Sequence, residues 1–564
     1  MLAAATINGG DTAWVMVSAA LVLFMIPGLA FFYAGLVRGS NALVMLQQNL
    51  LPLAVVTVTW IVIGYSIAFS HDLGAGIMGD LTLFGLQDLD SAPAPALHVV
   101  TPGVAIPTIA FVAYQMMFAI ITPALITGAT ANRLRAAGWT LMLLLWSIVV
   151  YPPIAHWLFN PSGWLARRGA QDWAGGMVVH ASAGAAALAI LLVVGRRAGW
   201  PKTESVPHSL PLALVGGGIL WFGWFGFNAG DSLQADGVAA QALINTHVAA
   251  AAAMSAWLVL ERLSEGHATA IGAVTGAVAG LATVTPCAGY VNTFSALAIG
   301  VLAGLVCHWA LRLKRVFRFD DALDVIAVHF VGGAIGSLLL GLFGEESVNT
   351  IGRDGLLFGG GFGLLGNQCL ALVSVIAFSF VLTWLIATGV ERTIGLRLPP
   401  DEQVNVDEKQ QGMAAYHIDP AFVVGGEGAR AVAEASPQPD LAPVSGAGTH
   451  LLLTVVLQTV DPGRLRTELL DAGAVSIVVS EAHATATDPT TESVQFRGQR
   501  QDIAFPERLR VEVLVPTDRV DAAMAAINRC STGRGGGFLQ QVVQPIGTTR
   551  VDPAEFPPST TAQK

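Results

Sequence analysis

Charge is what this chain has least of. Only 12% of its 564 residues are Asp, Glu, Lys or Arg, about half the share of roughly 25% in a soluble globular domain. A large soluble enzyme could not cover its surface with so few charges. With 53% hydrophobic residues the composition is not that of a disordered chain either. Cysteine is also scarce: Cys287, Cys307, Cys369 and Cys530 are widely scattered and form no C-x-x-C pair. Neither a zinc site nor a disulfide framework is indicated, and no metal is expected. There is no basic excess, with 29 Lys+Arg against 39 Asp+Glu, so nucleic acid is not an expected partner. Met1 to Gly10 lacks the basic n-region of a signal peptide, and the first apolar segment is expected to be retained.

The shortage of charge is uneven. Residues 1–400 hold 34 charged side chains, and residues 401–564 hold another 34 in less than half the length. That division reads as a membrane domain followed by a soluble one. A membrane helix needs about 20 apolar residues. Candidate spans lie near 11–36, 44–70, 103–130, 138–158, 177–195, 210–229, 240–260, 268–284, 291–312, 325–344 and 364–391. About eleven spans put the two ends of this region on opposite sides. Assigning alternate loops gathers 13 Lys/Arg on one side, from Arg38 to Arg397, and leaves Arg167, Arg168 and Arg353 on the other. Positive charge prefers the cytoplasm, so the amino terminus is expected outside and the soluble tail inside.

Two stretches resemble each other. Asp172 to Ala185 opens the fifth span and Asp321 to Ala334 opens the tenth; both read D-x7-H, with Val before the His and a Gly-Ala run after it. Five spans apart, the copies enter the membrane from opposite faces, the mark of an inverted repeat with its site near the midplane. Ionisable residues deep within spans are rare and usually functional. His180 and His329 are therefore the leading candidates. Paired imidazoles offer one donor and one acceptor per neutral ring, which suits a small hydrogen-bonding molecule better than a bare metal cation.

A second constellation is aromatic: Trp221-Phe222-Gly223-Trp224-Phe225-Gly226-Phe227-Asn228-Ala229-Gly230 closes the sixth span, and Tyr114-Gln115-Met116-Met117-Phe118 lies in the third. Such rings either anchor a helix at the interface or hold a cation on their faces. With D-W-A-G-G-x-x-V-H, D-V-I-A-V-H, Pro27 to Arg38, and Thr285-Pro286-Cys287-Ala288-Gly289-Tyr290, these motifs resemble the ammonium transporter (Amt/Rh) family from about Asp11 to Leu398.

The resemblance implies an all-α polytopic membrane protein: about eleven helices in an inverted repeat of five plus five and one more, a homotrimer with one apolar pore per subunit, and no enzyme. His180 and His329 match the twin pore histidines, and Phe118 and Phe227 the stacked rings of the gate. Tyr114, Phe159, Asp231 and Trp224 are expected around recruitment of the cation, Trp224 on the pore wall. Asp172 and Asp324 are expected to be structural and electrostatic; for Asp172, a helix cap before Gly175 is the simpler reading. Two departures concern recruitment. Phe159 stands where the family has a tryptophan, with Trp157 or Trp164 as alternative sources of the indole. Asp231 stands where a small hydroxyl is usual. The implied function is ammonium or ammonia transport across the cytoplasmic membrane after deprotonation; the alternative is an ammonium sensor that signals occupancy through its tail.

The expected domains are 1–398, the transporter; 399–447, a tail and linker, rich in Pro, Ala, Ser and Gly from Glu434 to Gly448; 448–551, a soluble domain; and 552–564, a disordered tail. The soluble domain has a β-α-β-β-α-β rhythm, with strands expected at 450–458, 475–482, 508–516 and 538–546 and helices near 462–472 and 518–530. That order is ferredoxin-like α+β. Phe496-Arg497-Gly498, Val511 to Pro516 and Thr532-Gly533-Arg534-Gly535-Gly536-Gly537 resemble the P-II nitrogen-signalling proteins. The loop 483–495 departs from the P-II pattern, and Phe538 or Leu539 replaces a lysine of the phosphate cradle. No resident cofactor is expected, with nucleotide binding at Thr532 to Gly537 left open beside a cap that takes no ligand.

Overall fold

The computed structural model describes residues 7–87, 89, 106–200, 207–403, 405–416, 450–457, 462–483, 492–496, 499–503, 507–531 and 541–546. They fall into two compact units, Met1–Ala415 and Tyr416–Lys564.

The first unit is helical throughout. Its spans are α1 (Gly9–Leu36), α2 (Gly39–Phe69), α3 (Thr108–Ala129), α4 (Ala136–Arg168), α5 (Gly176–Val194), α6 (Leu210–Ser232), α7 (Gly237–Ser264), α8 (Ala270–Val284), α9 (Thr293–Val316), α10 (Ile326–Phe343) and α11 (Gly363–Thr393). Among the described residues ten are long and apolar enough to cross a membrane, and α8 is a shorter apolar helix. Each sits on one expected span, so the count of about eleven includes α8. Caps set several starts. The Asn8 side chain accepts from the Gly10 and Asp11 N–H groups at α1, and the Asn292 side chain from Ser295 N–H at α9.

Glycine sets how closely the helices approach. A methyl group built on Gly35 would lie 2.6 Å from the Ala213 nitrogen, and one on Gly216 would lie 2.2 Å from the Phe32 nitrogen. The backbones of α1 and α6 therefore touch, as membrane helices do where small residues meet.

Residues 396–411 pack against the ends of these helices. Leu398 N–H donates to the Arg133 carbonyl, and Arg135 N–H to that of Leu396. A short helix, α12 (Val406–Gln411), follows. The Asp407 carboxylate accepts from Leu43 and Val44 N–H at 2.9 and 2.8 Å, capping α2 from 363 residues away in sequence. Burial pushes its carboxyl above the usual range despite those bonds.

The second unit holds β1 (His450–Leu457), α13 (Pro462–Asp471), β2 (Ser476–His483), β3 (Glu492–Phe496), β4 (Gln499–Ile503), β5 (Glu507–Pro516), α14 (Val520–Ser531) and β6 (Gln541–Ile546). Four strands form an antiparallel sheet in the order β2-β5-β1-β6. Leu453, Val455, Val511, Val513 and Val515 supply its buried face, covered by Leu465 and Leu469 of α13 and Ala523, Ala526 and Ile527 of α14. The expected strands and helices are all present. The added element is the hairpin β3–β4, of which only residues 492–495 fall in the expected loop 483–495; its polar sequence, ESVQF and QRQDI, gives little apolar alternation to reveal a strand. Glu434 to Gly448, Thr532 to Gly537, Arg550 and 552–564 lie outside the described residues.

Candidate functional site

The two D-x7-H segments build the centre of the first unit. In each, the chain begins its span with a π-helical turn, Gly176–Ala181 and Ile326–Val331, that carries the histidine. Such turns widen a helix locally and are common at functional sites. An aspartate precedes each turn and satisfies its free N–H groups. The Asp172 carboxylate accepts from Gly175, Gly176, Met177 and Val178 at 3.2, 2.6, 2.8 and 2.9 Å. Asp321 accepts from Val325 and Ile326 at 3.1 and 2.7 Å.

Asp324, expected as a structural and electrostatic residue, has a left-handed backbone, φ +62°, and its carboxylate meets Lys314 Nζ at 2.6 Å. The residue that caps the α10 turn is Asp321, the repeat's counterpart of Asp172.

The histidines meet. Their Nδ1 atoms are 3.3 Å apart and the rings are nearly parallel, 22° between planes with centroids 5.3 Å apart. One Nδ1 must donate while the other accepts, so the two neutral rings hold complementary tautomers. His180 Nε2 is buried and has no hydrogen-bond partner. Small residues one turn beyond each histidine permit this approach. A methyl on Gly333 would lie 2.7 Å from His180 Cβ, and one on Gly184 would lie 2.3 Å from Phe330 Cβ. The two glycines are equivalent positions of the repeat, four residues after each histidine.

Around the pair runs an apolar passage. A cavity of about 10 Å³ is lined by His180, His329, Trp224, Phe227, Leu29 and Val278 among others, room for about one water-sized molecule. Trp224 lies against His180, centroids 5.5 Å apart, and its Nε1 donates to Thr285 Oγ1 at 2.9 Å. The T-P-C-A-G-Y segment also anchors the first histidine segment, since Trp173 and Ala174 N–H donate to the Pro286 and Thr285 carbonyls. Phe118 and Phe227, both fully buried, lie with ring centroids 4.4 Å apart, and Phe227 also lines the cavity.

Along α3, Phe111 and Gln115 line a wide cavity of about 460 Å³, Phe118 follows about one turn on, and Ile121 and Leu125 line the small cavity; the wide one also takes in Phe159, Asp231, Asp172, Tyr65 and Arg353. At the other end a cavity of about 180 Å³ shares Phe32, Val278 and His329 with the passage and includes Asp324 in its lining.

The expected recruitment group therefore divides. Phe159 and Asp231 line the wide cavity. Tyr114 does not: it is fully buried, its ring packs on Phe118 at 5.0 Å, and its hydroxyl donates to the Phe227 carbonyl at 2.9 Å. Trp224 belongs to the passage beside His180, as the pore-wall reading requires. Trp157 and Trp164 line a different cavity, with Trp157 Nε1 donating to the Ile77 carbonyl, so neither supplies an indole to the wide one. Thr285 and Gln115 lie within the sequence motifs without an expected role, and Gly184, Gly333 and Tyr65 carry none either. The glycines could have been found by extending the repeat one helical turn past each histidine.

Taken together, these features define a polytopic membrane protein with a narrow apolar passage that carries two facing imidazoles. The family model described as Ammonium Transporter Family matches residues 13–416. The ammonium transporter of Mycobacterium tuberculosis (strain H37Rv) is 44% identical over 431 residues, covering 72% of this chain and 90% of that protein. The crystal structure of Mep2 from Candida albicans superposes with a TM-score of 0.65 at 34% identity, over 70% of this chain and 88% of that one. A structure titled Sensor Amt Protein matches with a TM-score of 0.63 at 29% identity, over 70% and 96%. The chain belongs to the ammonium transporter family. It is a multi-pass membrane protein, not an enzyme, and ammonium transport is its family function.

Proposed function

We propose that the chain collects ammonium in the wide cavity, that the ion hands its proton to water of that cavity beside Asp231 before the Phe118–Phe227 rings, and that neutral ammonia passes along the His180–His329 pair. Supporting this reading are a wide cavity with a carboxylate, a small apolar cavity holding two imidazoles, and a ring pair whose Phe118 lies on α3 between residues that line the two. A bare ion in such surroundings costs on the order of tens of kcal/mol if left unpaired. Ammonia avoids that cost and can still accept from one imidazole and donate to the other. The loop charges, with 13 Lys/Arg against three, support an outer position for the wide cavity and a cytoplasmic tail in a cytoplasmic membrane. Asp172 and Asp321 hold the two histidine turns in register. The homotrimer implied by the family belongs to the same proposal.

Asp231 tests recruitment. With Asp231→Ser, the apparent KM for methylammonium uptake should rise roughly fivefold while the maximal rate changes little, as for loss of an ion pair worth about 1 kcal/mol. An unchanged KM would remove Asp231 from the recruitment site.

We further propose that the second unit is a P-II-like regulator of the pore. Its antiparallel sheet, in the order β2-β5-β1-β6 with two helices on one face, supports a ferredoxin-like domain of that kind. A sensor is the second reading, favoured by the likeness to the Sensor Amt Protein and by the appended unit. Uptake by the full chain and by a form lacking residues 440–564 separates the two. Regulation predicts saturable uptake by both forms at different rates; a sensor predicts negligible uptake by both.

A further inference from the structure

A cavity of about 640 Å³ opens beside the narrow end of the passage and shares Leu36, Ala322 and Leu323 with its mouth. Its lining contains Arg196, Arg197, Lys314, Arg315 and Arg318, with Asp321 the one acidic residue among the lining groups. An excess of basic residues at the proposed cytoplasmic face follows from topology alone. Topology does not require five of them, drawn from the α5–α6 loop, the end of α9 and the loop after it, to converge on one concavity.

Several of these side chains are held in place. Arg197 donates through Nε and Nη2 to Asp320, the shortest contact being 2.7 Å, and Asp320 also meets the buried Arg133 at 3.4 Å. Burial pushes the Asp320 carboxyl up, but the Arg197 hydrogen bond and the Arg133 and Arg197 charges outweigh it and hold it below the usual range. Arg196 lies over the Trp200 ring, 5.0 Å from its centroid, and its Nε donates to the Arg318 carbonyl at 3.0 Å. Lys314 is paired with Asp324. Among the described residues the lining sets five basic residues against one acidic one, and Asp320 and Asp324 pair with Arg197 and Lys314. Guanidinium groups fixed by neighbours in this way suit phosphate oxygens, which they engage bidentately.

We propose that this cavity is a binding site for a phosphate-bearing anion at the inner mouth of the pore. Because Ala322 and Leu323 lie between Asp321 and the α10 turn, an anion bound there would contact the loop that positions His329. The phosphate could come from a lipid headgroup or from a soluble phosphate compound, and the cavity's chemistry is the same for both.

The test uses the full chain. Tripolyphosphate binding is measured by calorimetry in detergent micelles. It is measured again in nanodiscs of phosphatidylcholine alone or with phosphatidylglycerol. Saturable binding is expected in micelles, weakened at least tenfold in the double variant R196Q/R318Q and by less than that in R196K/R318K, which keeps the charge but loses the guanidinium fork. Loss of tripolyphosphate binding in phosphatidylglycerol nanodiscs identifies a lipid headgroup as the occupant; undiminished binding there identifies a soluble phosphate. No saturable binding in micelles, or equal binding by R196Q/R318Q, overturns the proposal. The Lys variant separates lost charge from misfolding, and no outcome depends on whether ammonium is transported.

Discussion

Asp172→Ala should leave the chain largely unable to reach its folded membrane state. The substitution strips the acceptor from four buried backbone N–H groups at the start of α5. An unsatisfied buried donor costs about 1–3 kcal/mol, so the loss should exceed about 4 kcal/mol, a large part of the stability of a typical domain. Asp172→Asn keeps one acceptor oxygen and should recover part of it. The check is the yield of monodisperse protein in detergent and its thermal midpoint. The expected order is wild type, then Asn, then Ala, with Ala poorly recovered. An Ala variant as stable as wild type would mean that the cap does not hold the turn.

The second large effect falls on the histidines. Replacing His180 with Ala opens the passage beside Trp224 and leaves His329 Nδ1 without its 3.3 Å partner. A molecule crossing there loses a donor or acceptor in a dry site, about 1.4–3 kcal/mol, or a factor of roughly 10–150 in rate. Methylammonium uptake should fall by that factor in His180→Ala and in His329→Ala. The double variant should fall no further than the worse single one, because each change already breaks the pair. Unchanged uptake in both single variants would separate the imidazoles from conduction.

Much of this site was legible because it is written twice. The D-x7-H repeat located both histidines and their caps, and the span pattern placed all eleven helices. What stayed hidden depends on contacts between distant segments. Asp324 is close to His329 in sequence, yet its left-handed backbone takes it to Lys314 and leaves the cap to Asp321. Tyr114 is an aromatic at the right depth, but two carbonyls of α6 occupy its hydroxyl. Thr285, 61 residues from Trp224, fixes that indole beside His180, a contact that no local pattern announces. The capping of α2 by Asp407 likewise joins residues with no local pattern between them. In the second unit the strong alternation of β1 and β5 was readable, and the polar hairpin β3–β4 was not.

Potassium tests the central claim most directly. It is a monovalent cation with no proton to lose, so a passage that admits only a neutral species must exclude it. Sealed proteoliposomes of the full chain are assayed in parallel for methylammonium uptake and for potassium flux, against protein-free vesicles. The account predicts saturable methylammonium uptake with potassium flux at the protein-free level. Potassium flux comparable to methylammonium uptake would contradict it, because a bare cation would then be crossing the His180–His329 passage.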